Sequence, residues 1–248
     1  MYEEITTDED NPWFSKDRSE SANFRLLPKT FNNINVINPG LGLNVYENAI
    51  NKNDCQKYIN VLESTLNGQT KWKWDAAQVT NSDKPIKFAR DCSDFRYSPK
   101  DLGSLDLENK DLIEMHNEIY NMLKLCVDDY AQYWGISVNY YEAFNFVKYE
   151  GSGQQFRIHA DHGPSYACTV SAVIYLNDDY EGGELYFPRL DKLTYKPKRG
   201  DIAIFPSNYI YEHASLDMVK GTKYCVVIMM DLNDNAHNND YNNDHNND

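Results

Sequence analysis

Residues 156–163 place an imidazole and a carboxylate two positions apart, in the sequence Phe156-Arg157-Ile158-His159-Ala160-Asp161-His162-Gly163. In a β-strand, residues i and i+2 point to the same face. If this stretch is a strand, His159 and Asp161 present one nitrogen and one oxygen to the same point in space. They would supply two of the three ligands of a facial metal site, so the fold has to bring the third ligand from elsewhere.

The third ligand is sought among the remaining histidines, and most of them are poorly placed. His237 and His245 lie in a polar tail. His116 lies in a helical pattern, and His162 points to the opposite strand face. His213 remains. Two histidines and one carboxylate with open positions are typical of non-haem Fe(II) oxygenases. An isolated pair of this kind also occurs where histidines are ordinary core or surface residues, so the rest of the chain has to decide.

The composition indicates one globular domain that does not bind nucleic acid. The 248 residues are 41% hydrophobic and 13% aromatic, with 19 tyrosines, which is rich in strand-forming residues. A β-barrel of this length is commonly a single domain. The net charge of −14 opposes binding to phosphate backbones, because that affinity comes largely from Lys and Arg displacing counterions. The charge otherwise serves solubility.

The cysteines and the first residues indicate a soluble protein of a reducing compartment, which we expect to be the cytoplasm. The cysteines are odd in number and show no C-x-x-C spacing: Cys55, Cys92, Cys126, Cys168 and Cys225. Met1-Tyr2-Glu3-Glu4 lacks the basic and apolar regions of a signal peptide, and no stretch approaches eighteen apolar residues, so we expect no membrane contact. Abundant Asn, Lys, Tyr and Ile are typical of A/T-rich codons, which is compatible with a virus-encoded protein in its host's cytoplasm.

Three segments of the chain differ in composition. Residues 1–40 are polar, with some strand-like pattern, and are interpreted as an irregular N-terminal arm. Residues 41–232 are the predicted folded domain. Residues 233–248 are rich in Asn and Asp, and we expect them to be disordered. Within the domain, residues 69–105 lack a clear period, so they are either a substrate loop, with residues 76–100 as a lid, or a surface connection with edge strands.

Two helices and a series of short strands are predicted within the domain. One helix begins near Asn53 and has apolar residues at spacings of three and four up to Leu66, and a second runs from about residue 108 to 134, before Gly135. The period then changes to two in six short runs: 141–149, 154–160, 168–176, 184–187, 201–205 and 222–230. Many short strands separated by turns predict a mainly β fold, which we interpret as a double-stranded β-helix (a cupin-like jelly roll) supported by two α-helices.

An oxygenase of this kind needs an electron source, and a keto diacid can serve as one. Lys223, ten residues after His213, is a cation that could bind such a diacid. If the two residues lie on adjacent antiparallel strands, a cation faces the metal from deeper in the barrel. A five-carbon keto diacid would chelate the iron at one end and pair its far carboxylate with Lys223. The alternative is that Lys223 is an exposed strand residue, although a buried unpaired lysine would be costly.

Four blocks of the sequence resemble the prolyl 4-hydroxylase-like branch of the 2-oxoglutarate- and Fe(II)-dependent dioxygenases. The resemblance covers roughly residues 43–232. In order, the blocks are Tyr149-Glu150-Gly151-Ser152-Gly153-Gln154 leading into His159-Ala160-Asp161; Tyr175-Leu176-Asn177 with Glu181-Gly182-Gly183-Glu184-Leu185 and Phe187-Pro188; Pro197-Lys198-Arg199-Gly200-Asp201 before Phe205; and His213 before Gly221-Thr222-Lys223-Tyr224. Each block alone is weak, but four at family-like spacing are specific.

The resemblance implies a role for each matching residue. The iron ligands would be His159, Asp161 and His213, and Lys223 would hold the 5-carboxylate of 2-oxoglutarate. Tyr149 and Tyr175 match tyrosines that line the 2-oxoglutarate pocket, although both also fit an ordinary aromatic core. The implied cofactors are Fe(II), 2-oxoglutarate as cosubstrate and O2, with ascorbate expected as a reductant.

The departures from the family pattern concern the hydroxylated substrate. Phe156 matches an aromatic position near the substrate entrance. Cys168 stands where related prolyl hydroxylases tend to carry an arginine that faces the substrate, and Met229 stands where they carry a tryptophan. Three functions therefore stay open: hydroxylation of a peptidyl proline, the same chemistry on a free amino acid or other small molecule, and a cupin-like binding protein without activity. Because the triad and the diacid cation are both present, the sequence favours the enzymes.

Overall fold

In the part of the chain that the structure describes, the fold consists of two antiparallel sheets, a two-stranded ribbon and two α-helices. The computed structural model describes residues 29–67, 72–79, 82, 84–98, 110–163 and 167–232. The first 28 residues of the predicted arm and the predicted disordered tail from Asn233 lie outside the described residues. Neither helix of the described part carries an apolar stretch long enough to cross a bilayer.

The larger sheet carries ten strands. Its strands, in chain order, are β1 (Lys29–Phe31), β2 (Ile34–Gly40), β3 (Leu43–Glu47), β4 (Asp75–Ala76), β6 (Ser93–Tyr97), β7 (Tyr140–Tyr141), β8 (Phe144–Glu150), β10 (Val170–Tyr175), β14 (Ile202–Pro206) and β17 (Thr222–Asp231). The spatial order is β1-β2-β3-β14-β10-β17-β8-β6-β4, and β7 pairs with one end of β17. Since β1 and β2 pair with β3, the sheet begins before residue 41, within the segment interpreted as an arm.

The smaller sheet carries five strands in the order β13-β12-β15-β9-β5. Its strands are β5 (Arg90–Asp91), β9 (Gln155–His159), β12 (Leu185–Phe187), β13 (Leu193–Tyr195) and β15 (His213–Ser215). The strands β11 (Glu181–Gly182) and β16 (Met218–Lys220) form the separate ribbon. Within residues 69–105, the described part thus holds three short strands, of which β5 joins one sheet and β4 and β6 join the other.

The two predicted helices are confirmed, and both pack on the outer face of the larger sheet. Helix α1 (Lys52–Thr65) begins at Asn51, whose side chain accepts hydrogen bonds from the backbone N–H groups of Asn53 and Asp54. Helix α2 (Lys110–Trp134) ends before Gly135, which has a positive φ. Its buried stripe continues into the core formed with the sheet: Leu112, Met115, Ile119, Leu123, Cys126, Val127 and Tyr130.

Alternation along β17 shows how the larger sheet separates the core from the site. Val226 and Ile228 face the helices and belong to the helix-sheet core. Lys223 and Cys225 point to the other face, toward the smaller sheet. The period of two read from the sequence therefore places one set of side chains in the core and the other in the space between the sheets. The predicted mainly β fold with two supporting helices is confirmed.

The turn before β14 requires glycine, and this yields a prediction about stability. Gly200 has φ +87, and a Cβ there would lie 2.0 Å from the backbone oxygen of Ile50. Gly151 has φ +72 with open space around it, so it controls for backbone conformation alone. We expect Gly151→Ala to lower the free energy of unfolding by about 1–2 kcal/mol, and Gly200→Ala to lower it by clearly more because the backbone has to move. Urea unfolding measures both, and equal losses would contradict the steric argument.

Candidate metal and cosubstrate site

The pairing of β9 with β15 brings the two triad histidines together. His213 lies directly opposite His159 in the antiparallel register, and Asp161 follows just beyond the end of β9. The Asp161 carboxylate lies 3.4 Å from Nε2 of His159 and 3.8 Å from Nε2 of His213. One ligand atom of each residue falls within 4.8 Å of the others. The three side chains predicted as ligands therefore converge on one point.

Both imidazoles are oriented by hydrogen bonds to backbone oxygens. Nδ1 of His159 lies 2.7 Å from the carbonyl oxygen of Arg157, and Nδ1 of His213 lies 3.1 Å from that of Tyr211. When Nδ1 donates its proton to a carbonyl, Nε2 keeps its lone pair and points at the partner carboxylate. Two nitrogen lone pairs and one carboxylate oxygen are the donor set that suits Fe(II) with open positions.

Charge and burial keep His213 and Asp161 in the protonation states that metal binding requires. Burial, together with the charge of His159, lowers the pKa of His213 to about 4, although Asp161 acts in the opposite direction. Burial alone would raise the pKa of Asp161, but the two histidines and the hydroxyl of Ser171 hold it well below its usual range. That hydroxyl donates to Asp161 at 2.5 Å. At neutral pH the site thus offers a neutral imidazole at position 213 and an ionised carboxylate, as metal binding requires.

The neighbouring His162 is engaged elsewhere. Its Nδ1 lies 3.2 Å from the backbone nitrogen of Cys168 and 2.9 Å from its carbonyl oxygen. Cys168 itself is 2% exposed, and its thiol lies 3.0 Å from the hydroxyl of Ser207. Ser207 in turn contacts Ser171 at 2.7 Å. Cys168 therefore packs behind Asp161. The described residues that line the two cavities do not include it.

Lys223 is buried beside the triad in a cavity of about 70 Å³. The residue is 2% exposed, and its Nζ donates to the carbonyl oxygen of Gly183 at 2.6 Å and to the hydroxyl of Ser215 at 2.9 Å. No carboxylate of the described residues forms an ion pair with it. Burial lowers the pKa of Lys223. A carboxylate placed next to Nζ would raise that pKa again, so an anion and the charged lysine favour each other.

Tyrosine rings enclose the ammonium group. Its Nζ lies 5.1 Å from the ring centre of Tyr149, 5.5 Å from that of Tyr175 and 6.0 Å from that of Tyr180. Tyr149 is the cross-strand partner of Lys223, and both Tyr149 and Tyr175 line the cavity that also reaches His213. The two tyrosines predicted for the cosubstrate pocket are thus next to the cation, and Tyr180 was not predicted.

The sequence argument placed Lys223 opposite the metal on the condition that His213 and Lys223 lie on adjacent strands. That condition is not met, because β15 belongs to the smaller sheet and β17 to the larger one. The ribbon strand β16 and the turn at Gly221, with φ +86, carry the chain from one sheet to the other. The lysine therefore faces the triad across the space between the sheets, and its bond to Ser215 links β17 to β15.

A second cavity, an open groove of about 910 Å³, leads from the surface to the triad. Phe156 lines it, with its ring stacked on the His159 imidazole at 3.6 Å between centroids. Met229 lines both the groove and the inner cavity. Arg90 and Asn145 also line both, and sequence reasoning missed them because they lie outside the motif blocks. Their only sequence signal is a polar residue within a predicted strand or irregular segment.

Residues 144–230 match the family model of the 2OG-Fe(II) oxygenase superfamily, and this span includes the triad and Lys223. A comparison with curated proteins gave no match. The matched segment, about a third of the chain, is similar to the 2OG-Fe(II) oxygenase superfamily. The protein is a 2-oxoglutarate-dependent Fe(II) dioxygenase.

Three solved prolyl hydroxylases share the fold. One is from Trichoplax adhaerens, in complex with a peptide fragment of the hypoxia inducible factor oxygen degradation domain, with 17% identity, a TM-score of 0.59 and coverage of 76% of this chain and 83% of that one. A viral collagen prolyl hydroxylase from Paramecium Bursaria Chlorella virus-1, in its 2-oxoglutarate complex, has 18% identity, a TM-score of 0.53 and coverage of 76% and 94%. A Pseudomonas putida prolyl-4-hydroxylase has 18% identity, a TM-score of 0.56 and coverage of 76% and 92%.

The ligand geometry predicts which histidines iron needs. We expect wild-type protein to bind one Fe(II) per chain. Loss of an outer hydrogen-bond partner of a metal ligand weakens metal binding by about 10–100-fold. Because they remove a ligand itself, His159→Ala, Asp161→Ala and His213→Ala should each weaken iron binding by more than this. His162→Ala is the matched control and should retain iron, because its ring bonds the Cys168 backbone. Anaerobic metal analysis measures this, and full occupancy in His213→Ala would refute the assignment.

Proposed function

We propose that the protein hydroxylates a peptidyl proline, in a prolyl 4-hydroxylase-like reaction. One oxygen atom of O2 enters the substrate C–H bond as a hydroxyl group. The other enters succinate, as 2-oxoglutarate loses CO2. The observation that carries this proposal is the buried ammonium of Lys223, which shares a cavity with the triad and has no carboxylate partner among the described residues.

In the proposed site, the triad holds Fe(II) and the inner cavity holds the diacid. Iron supplies the activation of O2 when it is bound. His159, Asp161 and His213 would hold the metal, and both cavities reach this triad. Lys223 and Ser215 donate to the far carboxylate, while Tyr149 and Tyr175 exclude water from that ion pair. Such a contact in a low-dielectric interior is short and strong. Ascorbate is proposed as a reductant on the resemblance alone.

The shape of the outer groove supports a peptide as substrate. Its volume lies at the upper end of the range for pockets that hold drug-sized ligands, which exceeds the need of one amino acid. Phe156 provides an aromatic wall beside the metal, where a pyrrolidine ring would pack. The prolyl hydroxylase of Trichoplax adhaerens was solved with a peptide fragment, and it shares this fold.

The alternative is the same chemistry on a free amino acid or another small molecule. Two observations favour it. Cys168 offers no group to the groove, since its thiol contacts Ser207 behind the triad. Met229 lines the groove with a flexible, unbranched side chain in place of an aromatic wall, which suits a range of ligands.

The role of Lys223 is tested by removing its charge at nearly constant volume. Removing one partner of a buried ion pair costs about 3–5 kcal/mol, so we expect Lys223→Met to weaken 2-oxoglutarate binding by about two orders of magnitude or more. The thermal shift produced by 2-oxoglutarate on iron-loaded protein should largely disappear. Lys148→Met is the control, because Lys148 is a buried lysine of β8 that pairs with Glu63 and Glu150. An undiminished shift in Lys223→Met would place the anion elsewhere.

The substrate class is tested by coupled turnover. We expect proline-containing peptides to stimulate succinate formation above the level with 2-oxoglutarate alone, and the peptide to gain the mass of one oxygen. Free amino acids and proline-free peptides of matched length are the controls. Stimulation by free amino acids, with none by any proline peptide, would replace the peptidyl substrate by the small-molecule alternative.

A further inference from the structure

Two polar residues outside the triad line both cavities, and the proposed metal and diacid contacts do not use them. Apart from the triad residues His159 and Asp161, the residues common to both cavity walls are Arg90, Asn145, Phe156, Val227 and Met229. Only Arg90 and Asn145 among these five carry polar side chains. Both therefore lie where the groove meets the inner cavity, close to the triad.

Arg90 is fixed in place with part of its guanidinium unused. It lies opposite Phe156 in the β5–β9 pair, and its guanidinium carbon lies 4.9 Å from the centre of that ring. One terminal nitrogen pairs with Asp94 at 3.1 Å and the other donates to the carbonyl oxygen of Gln78 at 3.0 Å. The side chain is 12% exposed, and its buried Nε makes no hydrogen bond to an oxygen or nitrogen of the described residues. Arg90 also has a side-chain hydrogen bond with Cys92, but sulfur is a weak acceptor, so the guanidinium keeps capacity for an oxygen acceptor.

Asn145 offers the complementary group. It lies on β8, and its side-chain amide donates to Asp94, the carboxylate that also holds Arg90. Its carbonyl oxygen Oδ1 is buried and has no hydrogen-bond partner among the described residues. A buried acceptor without a partner is destabilising, and the same is true of a buried donor. Asp94 therefore positions one unused donor and one unused acceptor on the same wall.

We propose that Arg90 and Asn145 are specificity-determining residues that bind the main chain of the peptide next to the target residue. This inference rests on the proposed peptidyl substrate. A peptide backbone presents a carbonyl acceptor and an N–H donor at neighbouring positions, which matches the pair. In this assignment, Arg90 donates to a main-chain carbonyl oxygen of the peptide, and Oδ1 of Asn145 accepts from a main-chain N–H of the peptide. Since proline has no N–H, that donor belongs to a neighbouring residue, here assigned to the residue that follows the proline.

The assignment defines the substrate class more narrowly. A free amino acid or a peptide that ends at the proline cannot fill both positions, because it has no amide N–H after the proline. Proline followed by at least one further residue satisfies both. The side chain of that following residue is not read by this pair, so recognition of the main chain tolerates different sequences.

The first arm of the test uses variants of the enzyme. We expect Arg90→Met to raise the KM for a coupled proline peptide by about 10–100-fold, the usual effect of losing a hydrogen bond to a charged group, with a smaller change in kcat. Arg90→Lys keeps the charge but not the planar fork, so its effect should be intermediate. Arg189→Met is the matched control, because Arg189 is an arginine that is 56% exposed, pairs with Glu212 and lines neither cavity. Its KM should stay at the wild-type value.

The second arm changes the peptide and leaves Arg90 intact. An ester in place of the amide after the proline removes the N–H, and we expect about 5–10-fold weaker binding to wild-type enzyme. Asn145→Ala should show most of that loss with the normal peptide and little further loss with the ester. Thermal melting establishes that each variant is folded.

The outcomes separate the two proposals. If proline peptides couple but Arg90→Met matches Arg189→Met, and the ester penalty is the same in Asn145→Ala as in wild type, the inference is refuted while the proposed function stands. If no proline peptide couples in wild-type enzyme, both fail together. If the KM effects appear and the ester penalty vanishes in Asn145→Ala, the main-chain assignment is supported.

Discussion

The antiparallel pairing of β9 with β15 is the constraint on which the site depends. Within it, His159 and His213 are direct partners, and a slip of one residue would turn one of the two imidazoles to the opposite face of the sheet. β15 is also paired on its other edge, where Ser215 lies opposite Leu185 of β12. The strand that provides the distal ligand is therefore held from both sides. The three ligand residues can therefore form an iron site only when the β9–β15 pair has this register.

The buried ammonium of Lys223 imposes the second constraint, because it couples closure of the two sheets to occupation by an anion. Its hydrogen bonds to Gly183 and Ser215 join the larger sheet to segments of the smaller one. These oxygens are neutral and leave the charge without a counterion in the described part of the chain. Burial penalises that charge. In the site that we propose, a dicarboxylate would relieve the penalty while its other end reaches the triad, so that cosubstrate binding and tight packing of the sheets would support each other.

Features that depend on the local period of apolar residues, or on the spacing of two nearby residues, could be predicted from the sequence. His159 and Asp161 follow from a two-residue spacing, and helix α1 follows from its cap and apolar stripe. The placement of Lys223 opposite the triad, in the other sheet, did not follow, because three-residue strands such as β15 carry too little pattern to assign them to a sheet. Arg90 was missed for a related reason. It belongs to a two-residue strand, and its position is decided by a pairing with Phe156 that lies 66 residues away in sequence.

The two sides of the triad also differ in how freely they can vary. The cosubstrate side is made of inward-facing residues of central strands, where Tyr149 and Lys223 are cross-strand partners. The substrate side is made by β5, an edge strand, and by the open groove. Cys168 lies on neither wall, because its thiol contacts Ser207, within a chain of hydroxyls that ends at Asp161. A long charged side chain at position 168 would displace the hydroxyls that hold a metal ligand. The guanidinium that we propose to bind the substrate is that of Arg90, which lies on an edge strand outside this chain of hydroxyls.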